Sequence, residues 1–142
     1  MGLEDVKRRF VEEVKLRGYD DQYIDVGEEK QILQIAIKEG VGVDSARGAL
    51  VQVCESLSYV LESQALSSVK KVLETFAEND GVISEKEFND SVTICKKECR
   101  GKRSDIQAKR MIIDIIEENS WKLKQGFMHH WYDKVKKEVG KA

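Results

Sequence analysis

The sequence predicts an all-α chain: a single-domain bundle of about six or seven helices containing two pseudo-repeated helix-turn-helix units. Three observations carry that prediction. Proline is absent from all 142 residues, whereas average usage of about 5% would place several helix breakers in a chain this long. Apolar residues return every three or four positions in one segment after another. Helix-starting residues recur about every twenty positions, at Asp25, Asp44, Ser63, Ser84 and Ser104, which leaves room for one helix and a short turn each time.

Leu3, Val6, Phe10 and Val14 lie on one face of a first helix, Ile32, Ile35 and Ala36 on a second, and Ala46, Ala49, Leu50, Val53, Cys54 and Leu57 on a third. Leu66, Val69, Leu73, Phe76 and Ala77 mark a fourth helix, and Phe88, Val92, Cys95 and Cys99 a fifth. The C-terminal part is expected to hold helices over 104–118, carrying Ile106, Ile112, Ile113 and Ile116, and over 125–139, carrying Phe127, Trp131, Val135 and Val139. Strands find almost no support in the pattern. Asp25 with Glu28, Ser84 with Glu87 and Ser104 with Gln107 have the spacing of a capping box, in which the cap side chain accepts from the amide three residues on and the Glu or Gln there accepts from the cap's own amide. Asp44 and Ser63 are expected to be N-caps without the full box.

Sliding the chain on itself lays LQIAIKEGVGVDSARGALVQVCE, residues 33–55, over LETFAENDGVISEKEFNDSVTICKK, residues 73–97, at an offset of 40 that grows to 41. Val43 then corresponds to Ile83, Asp44 to Ser84 and Cys54 to Cys95. The implied repeat units run over about 25–57 and 63–100.

The formal charge is −2, and it is unevenly spread. Residues 1–94 hold 11 Lys/Arg against 19 Asp/Glu, and residues 95–142 hold 13 against 7. The basic residues near the end are interleaved with acids, as in KKECRGKRSD and DKVKKEVGK, so they predict solvated helix faces and no nucleic acid partner. No apolar run reaches the roughly 18 residues of a membrane span, and MGLEDVKRRF lacks the apolar core of a signal peptide. No integral membrane association is expected. Three cysteines, Cys54, Cys95 and Cys99, are too few for a disulfide scaffold and suit a reducing, cytoplasmic setting.

The stretch AENDGVISEKEF, residues 77–88, has the look of a cation loop. Asp80-Gly81-x-Ile83-Ser84-x-x-Glu87 resembles the second half of an EF-hand loop, in which Gly turns the chain, a β-branched residue pairs with a sister loop and the final Glu binds calcium through both oxygens. The pattern is degenerate. With Gly81 at the sixth position, Phe76 takes the first, where an oxygen ligand is required; in the sister loop aligned through Val43, Arg47 takes the place of the final Glu.

Ala77, Asp80, Gly81, Ile83, Ser84 and Glu87 also match the Ala-x-x-Asp-Gly-x-Ile-Ser-x-x-Glu turn of the TerB-like family, small helical domains similar to tellurite-resistance protein B. That resemblance implies an all-helical bundle in which acidic residues at helix turns bind a divalent ion. Two readings of the stretch stay open. One is a turn alone, with a helix stop, a staple at Ile83 and a capping box; the other is a weak Ca²⁺ or Mg²⁺ site formed by Glu78, Asp80 and Glu87. No other cofactor is expected.

The segment SWKLKQGFMHHWYDKVKKEVGKA gathers Trp121, Phe127, Trp131 and Tyr132. Such rings close the end of a helical array or contact a partner. The sequence lacks a phosphate-binding Gly loop, a His-Glu-x-x-His pair and a nucleophile elbow, and the expectation is that it is not an enzyme. The functional expectation is a non-catalytic helical module that binds another protein or regulates one, with a homodimer compatible with it. A divalent-ion sensor is the alternative, followed by a small enzyme using Cys99 or His129.

Overall fold

In the computed structural model, which describes residues 2–125 and 130–140, the chain enters helix where the capping boxes stand. Asp25, Ser84 and Ser104 each accept from the amide three residues on, and Glu28, Glu87 and Gln107 each accept in return from the cap amide. The result is all-α. Seven helices occur among the described residues: α1 (Leu3–Arg17), α2 (Val26–Lys38), α3 (Val43–Leu57), α4 (Glu62–Phe76), α5 (Glu85–Glu98), α6 (Asp105–Glu118) and α7 (Trp131–Glu138).

Two expected caps sit elsewhere. Gly42 is the N-cap of α3, so Asp44 lies inside its first turn. Helix α4 starts at Glu62, so Ser63 is its second residue, and its hydroxyl donates to Glu29 Oε1 at 2.8 Å. The start expected at residue 125 for the last helix also differs. Lys124 and Gln125 are not helical, and the stretch 126–129 lies outside the described residues.

Four two-residue strands among the described residues were not legible in the sequence. They are β1 (Tyr23–Ile24), β2 (Val60–Leu61), β3 (Val82–Ile83) and β4 (Lys122–Leu123). β1 pairs with β2 and β3 with β4, both parallel. Ile83 therefore pairs with Leu123, whereas Val43, its expected sister, is the first residue of α3.

The chain divides into two compact units, residues 1–63 and 64–142. Helices α1, α2 and α3 of unit 1 pack on one another around Val6, Phe10, Val14, Ile32, Leu50 and Val53, and the first two residues of α4 close it. In unit 2, α6 packs on both α5 and α7.

The two units repeat each other at a spacing of 59 residues rather than the 40 suggested by the sequence alone. Buried Val6, Phe10 and Val14 of α1 match Ala65, Val69 and Leu73 of α4, and Leu33 and Ala36 of α2 match Val92 and Cys95 of α5. Beyond the next turn the spacing becomes 62, and Ala46, Leu50, Val53 and Cys54 of α3 match Ala108, Ile112, Ile115 and Ile116 of α6.

The turns repeat as faithfully as the helices. Asp21 Oδ1 accepts from Tyr23 N at 3.1 Å, and Asp80 Oδ1 accepts from Val82 N at 3.0 Å. Gln22 at φ 56° and Gly81 at φ 70° then make the same left-handed step into the strand. After α3 and α6 the step falls on Ser58, φ 60°, and Ser120, φ 57°, and an equivalent bond enters each strand pair, from Val60 N to Gln22 O and from Lys122 N to Gly81 O, both 2.9 Å, with Lys124 N adding a bond to Ile83 O at 2.8 Å in unit 2.

Candidate functional site

The turn proposed for a hard cation uses its carboxylates locally. Asp80 receives the Val82 amide, and Glu87 Oε1 receives the Ser84 amide at 2.9 Å, while Glu78 is exposed. Among the described residues no three His, Cys, Asp or Glu side chains stand close enough to hold a metal ion, so Glu78, Asp80 and Glu87 are not gathered into such a group. Each bond already serves the backbone: the Asx-type bond shapes the entry to β3 and the box starts α5.

The thiols lie in the core. Cys54, Cys95 and Cys99 are all buried. Burial pushes the Cys54 thiol up to about 12, with the carboxylates of Glu29 and Glu55 adding to the effect, which is the opposite of what a nucleophilic thiolate requires. His129, the other residue considered for chemistry, lies outside the described residues, as does Phe127.

The remaining aromatic residues of the C-terminal segment serve unit 2 itself. Trp131 is buried, its ring centroid lies 5.3 Å from that of Phe88, and its Nε1 donates to Lys124 O at 2.9 Å. Tyr132 meets both rings edge-on, at 6.3 Å from Phe88 and 5.8 Å from Trp131. Its hydroxyl is shielded from solvent with no hydrogen-bond partner among the described residues. Burial pushes this phenol up to about 12, and the nearby carboxylates of Glu117, Asp114 and Asp133 act in the same direction. Trp121 is half-buried in the slot that Tyr59 fills in unit 1: each residue follows a left-handed serine and donates its amide back into the helix before it.

Sequence reasoning missed a polar cluster in unit 1. Glu29, only 4% exposed, accepts from Ser63, and Glu62 accepts from the Tyr23 hydroxyl and from Val26 N at 3.4 Å. A signal for it existed. Asp21-Gln22-Tyr23-Ile24-Asp25-x-x-Glu28 and Asp80-Gly81-Val82-Ile83-Ser84-x-x-Glu87 share their pattern, and in that register Glu29 is the counterpart of the buried Phe88.

Sequence reasoning also missed the exposed apolar residues of unit 1. Leu16, in the last turn of α1, is 73% exposed, and Tyr19, in the turn that follows it, is 82% exposed. The positions that match them in unit 2 are polar, Thr75 and Glu78. Solvation alone would favour polar residues at both places, so the apolar pair in unit 1 is the feature the fold leaves unexplained. No protein-family model matches the chain, and neither a curated protein nor a solved structure matches it.

Proposed function

We propose that the chain is a non-catalytic helical interaction module that binds another protein through unit 1. The observation that carries this reading is the exposure of Leu16 and Tyr19 where the matching positions of unit 2 carry Thr75 and Glu78. A rigid phenol buries large area at low entropic cost and is a usual anchor at an interface, and the aliphatic chain beside it adds apolar area. The resemblance of residues 77–88 to TerB-like domains supports a regulatory setting for the module.

The experiment is affinity capture with the full chain as bait, comparing the wild type with Leu16→Ser/Tyr19→Ser. The double variant is expected to keep the helical circular dichroism of the parent and to lose most of the captured protein. An unchanged captured set with both side chains replaced would refute the assignment. Trp131→Ala serves as the contrast: it removes a buried ring, so its loss of capture should come with loss of thermal stability.

A further inference from the structure

Five of the six large apolar side chains exposed among the described residues belong to unit 1, and the sixth is Ile106 at the start of α6. Their surroundings carry opposite charge. Exposed Glu12 lies one turn before Leu16, and exposed Asp20 and Asp21 follow Tyr19, against one exposed cation in that stretch, Lys15, with Arg17 paired to Glu13; unit 1 as a whole holds 8 Lys/Arg against 13 Asp/Glu. Unit 2 holds 16 against 13; residues 96–103, just before Ile106, hold five Lys/Arg against Glu98, while Asp105 beside Ile106 is paired with Lys96 at 3.8 Å and Lys109 at 2.9 Å.

The repeat shows where that charge came from. The spacing between the units rises from 59 to 62 across the α5–α6 turn, which runs over six residues, 99–104, against four, 39–42, between α2 and α3. The lengthened turn reads Arg100-Gly101-Lys102-Arg103, where unit 1 has Val41-Gly42 before its helix. It is held in shape by bonds from Arg100 N to Lys97 O, Gly101 N to Lys96 O and Lys102 N to Cys99 O, each 2.9 Å. Lys97 and Lys102 are exposed at the same end of the unit as Ile106. One chain thus carries an acid-rimmed apolar anchor and a base-rimmed apolar anchor.

We infer that copies of this chain associate head to tail, with Leu16 and Tyr19 of one copy seated against Ile106 of the next, and Glu12 and Asp20 facing Lys97 and Lys102. The contact is heterologous, since different patches of the two copies meet. Complementary rims steer the encounter and fix which ends meet, while the apolar centre supplies the burial. This inference rests on the interaction reading above and names its partner.

The test is sedimentation equilibrium of the full chain. The mass is expected to exceed that of one chain as concentration rises, and to fall back when ionic strength is raised from about 0.05 M to about 0.5 M, which shortens the screening length severalfold. Glu12→Lys/Asp20→Lys alone and Lys97→Glu/Lys102→Glu alone are each expected to stay single, because like charges then meet at every contact. Mixing the two variants in equal amounts should restore association, since each unit 1 again faces a unit 2 of opposite charge. A wild-type chain that remains single up to about 1 mM overturns the inference. So does association unchanged in either variant, or a mixture that fails to associate although both variants keep their helicity. If the wild type stays single but Leu16→Ser/Tyr19→Ser still loses its captured protein, head-to-tail pairing fails and the interaction reading stands.

Discussion

Unit 1 and unit 2 make the same turns with different residues and fill the same core slot with opposite chemistry. At the left-handed step before the strand, unit 1 places Gln22 and unit 2 places Gly81. In the first turn of the second helix, unit 1 buries Glu29 against the Ser63 hydroxyl, whereas unit 2 buries Phe88 against Trp131 and Tyr132. The difference teaches that the backbone path depends on what the halves share, namely an Asx bond into the strand, a capping box into the helix and a paired strand. The slot behind the box accepts any side chain that its surroundings can satisfy, a carboxylate where a hydroxyl donates or a ring where rings meet.

The largest expected break in this comparison is Phe88→Ala. It removes a fully buried ring at the centre of an aromatic cluster and should cost about 3–5 kcal/mol in urea unfolding. Next comes Gly18→Ala. A Cβ there would stand 2.5 Å from the Tyr59 ring, while unit 2 carries Ala77 at the matching position. We expect a loss of about 1–3 kcal/mol, recovered in large part when Tyr59 is shortened in the same chain, as read by a double-mutant cycle. Smaller and opposite in sign are Gln22→Gly and Gly81→Gln. The first relieves a left-handed non-glycine residue and the second creates one, so thermal unfolding should show a gain and a loss of about 1 kcal/mol each.

The gentlest probe is alkaline pH, which acts on both units. Cys54 in unit 1 and Tyr132 in unit 2 both hold their protons more tightly folded than unfolded, because burial disfavours the anion. Their contribution is complete below the ordinary thiol value of about 9, and it is lost as pH rises from there through about 12. Denaturant midpoints measured from pH 8 to pH 12 should fall steadily. A flat profile would show that these groups are solvated in the folded chain.

Much of the fold was legible because its signals are short in range. Asp25, Ser84 and Ser104 start helices through bonds that span three residues, and the apolar spacing of Val6, Phe10 and Val14 assigns the buried face of α1. The candidate surface was less legible. Leu16 stands two positions past Val14, off the buried face of α1, and Tyr19 lies in the turn after the helix; both are exposed, and no periodicity says why they are apolar. Trp131 and Tyr132 have the composition of an interface and instead meet Phe88.

By itself, then, the sequence determined which segments are helical, where three of them begin and that the chain repeats in some register, since hydrogen bonds within a turn and a 3.6-residue period depend only on neighbours along the chain. The tertiary structure alone decided that Ile24 pairs with Leu61 and Ile83 with Leu123, that Glu29 is buried against Ser63, and that Leu16 and Tyr19 remain outside. Two-residue strands carry no period to read. Burial depends on which helix faces meet, and that is settled by residues far apart in the chain.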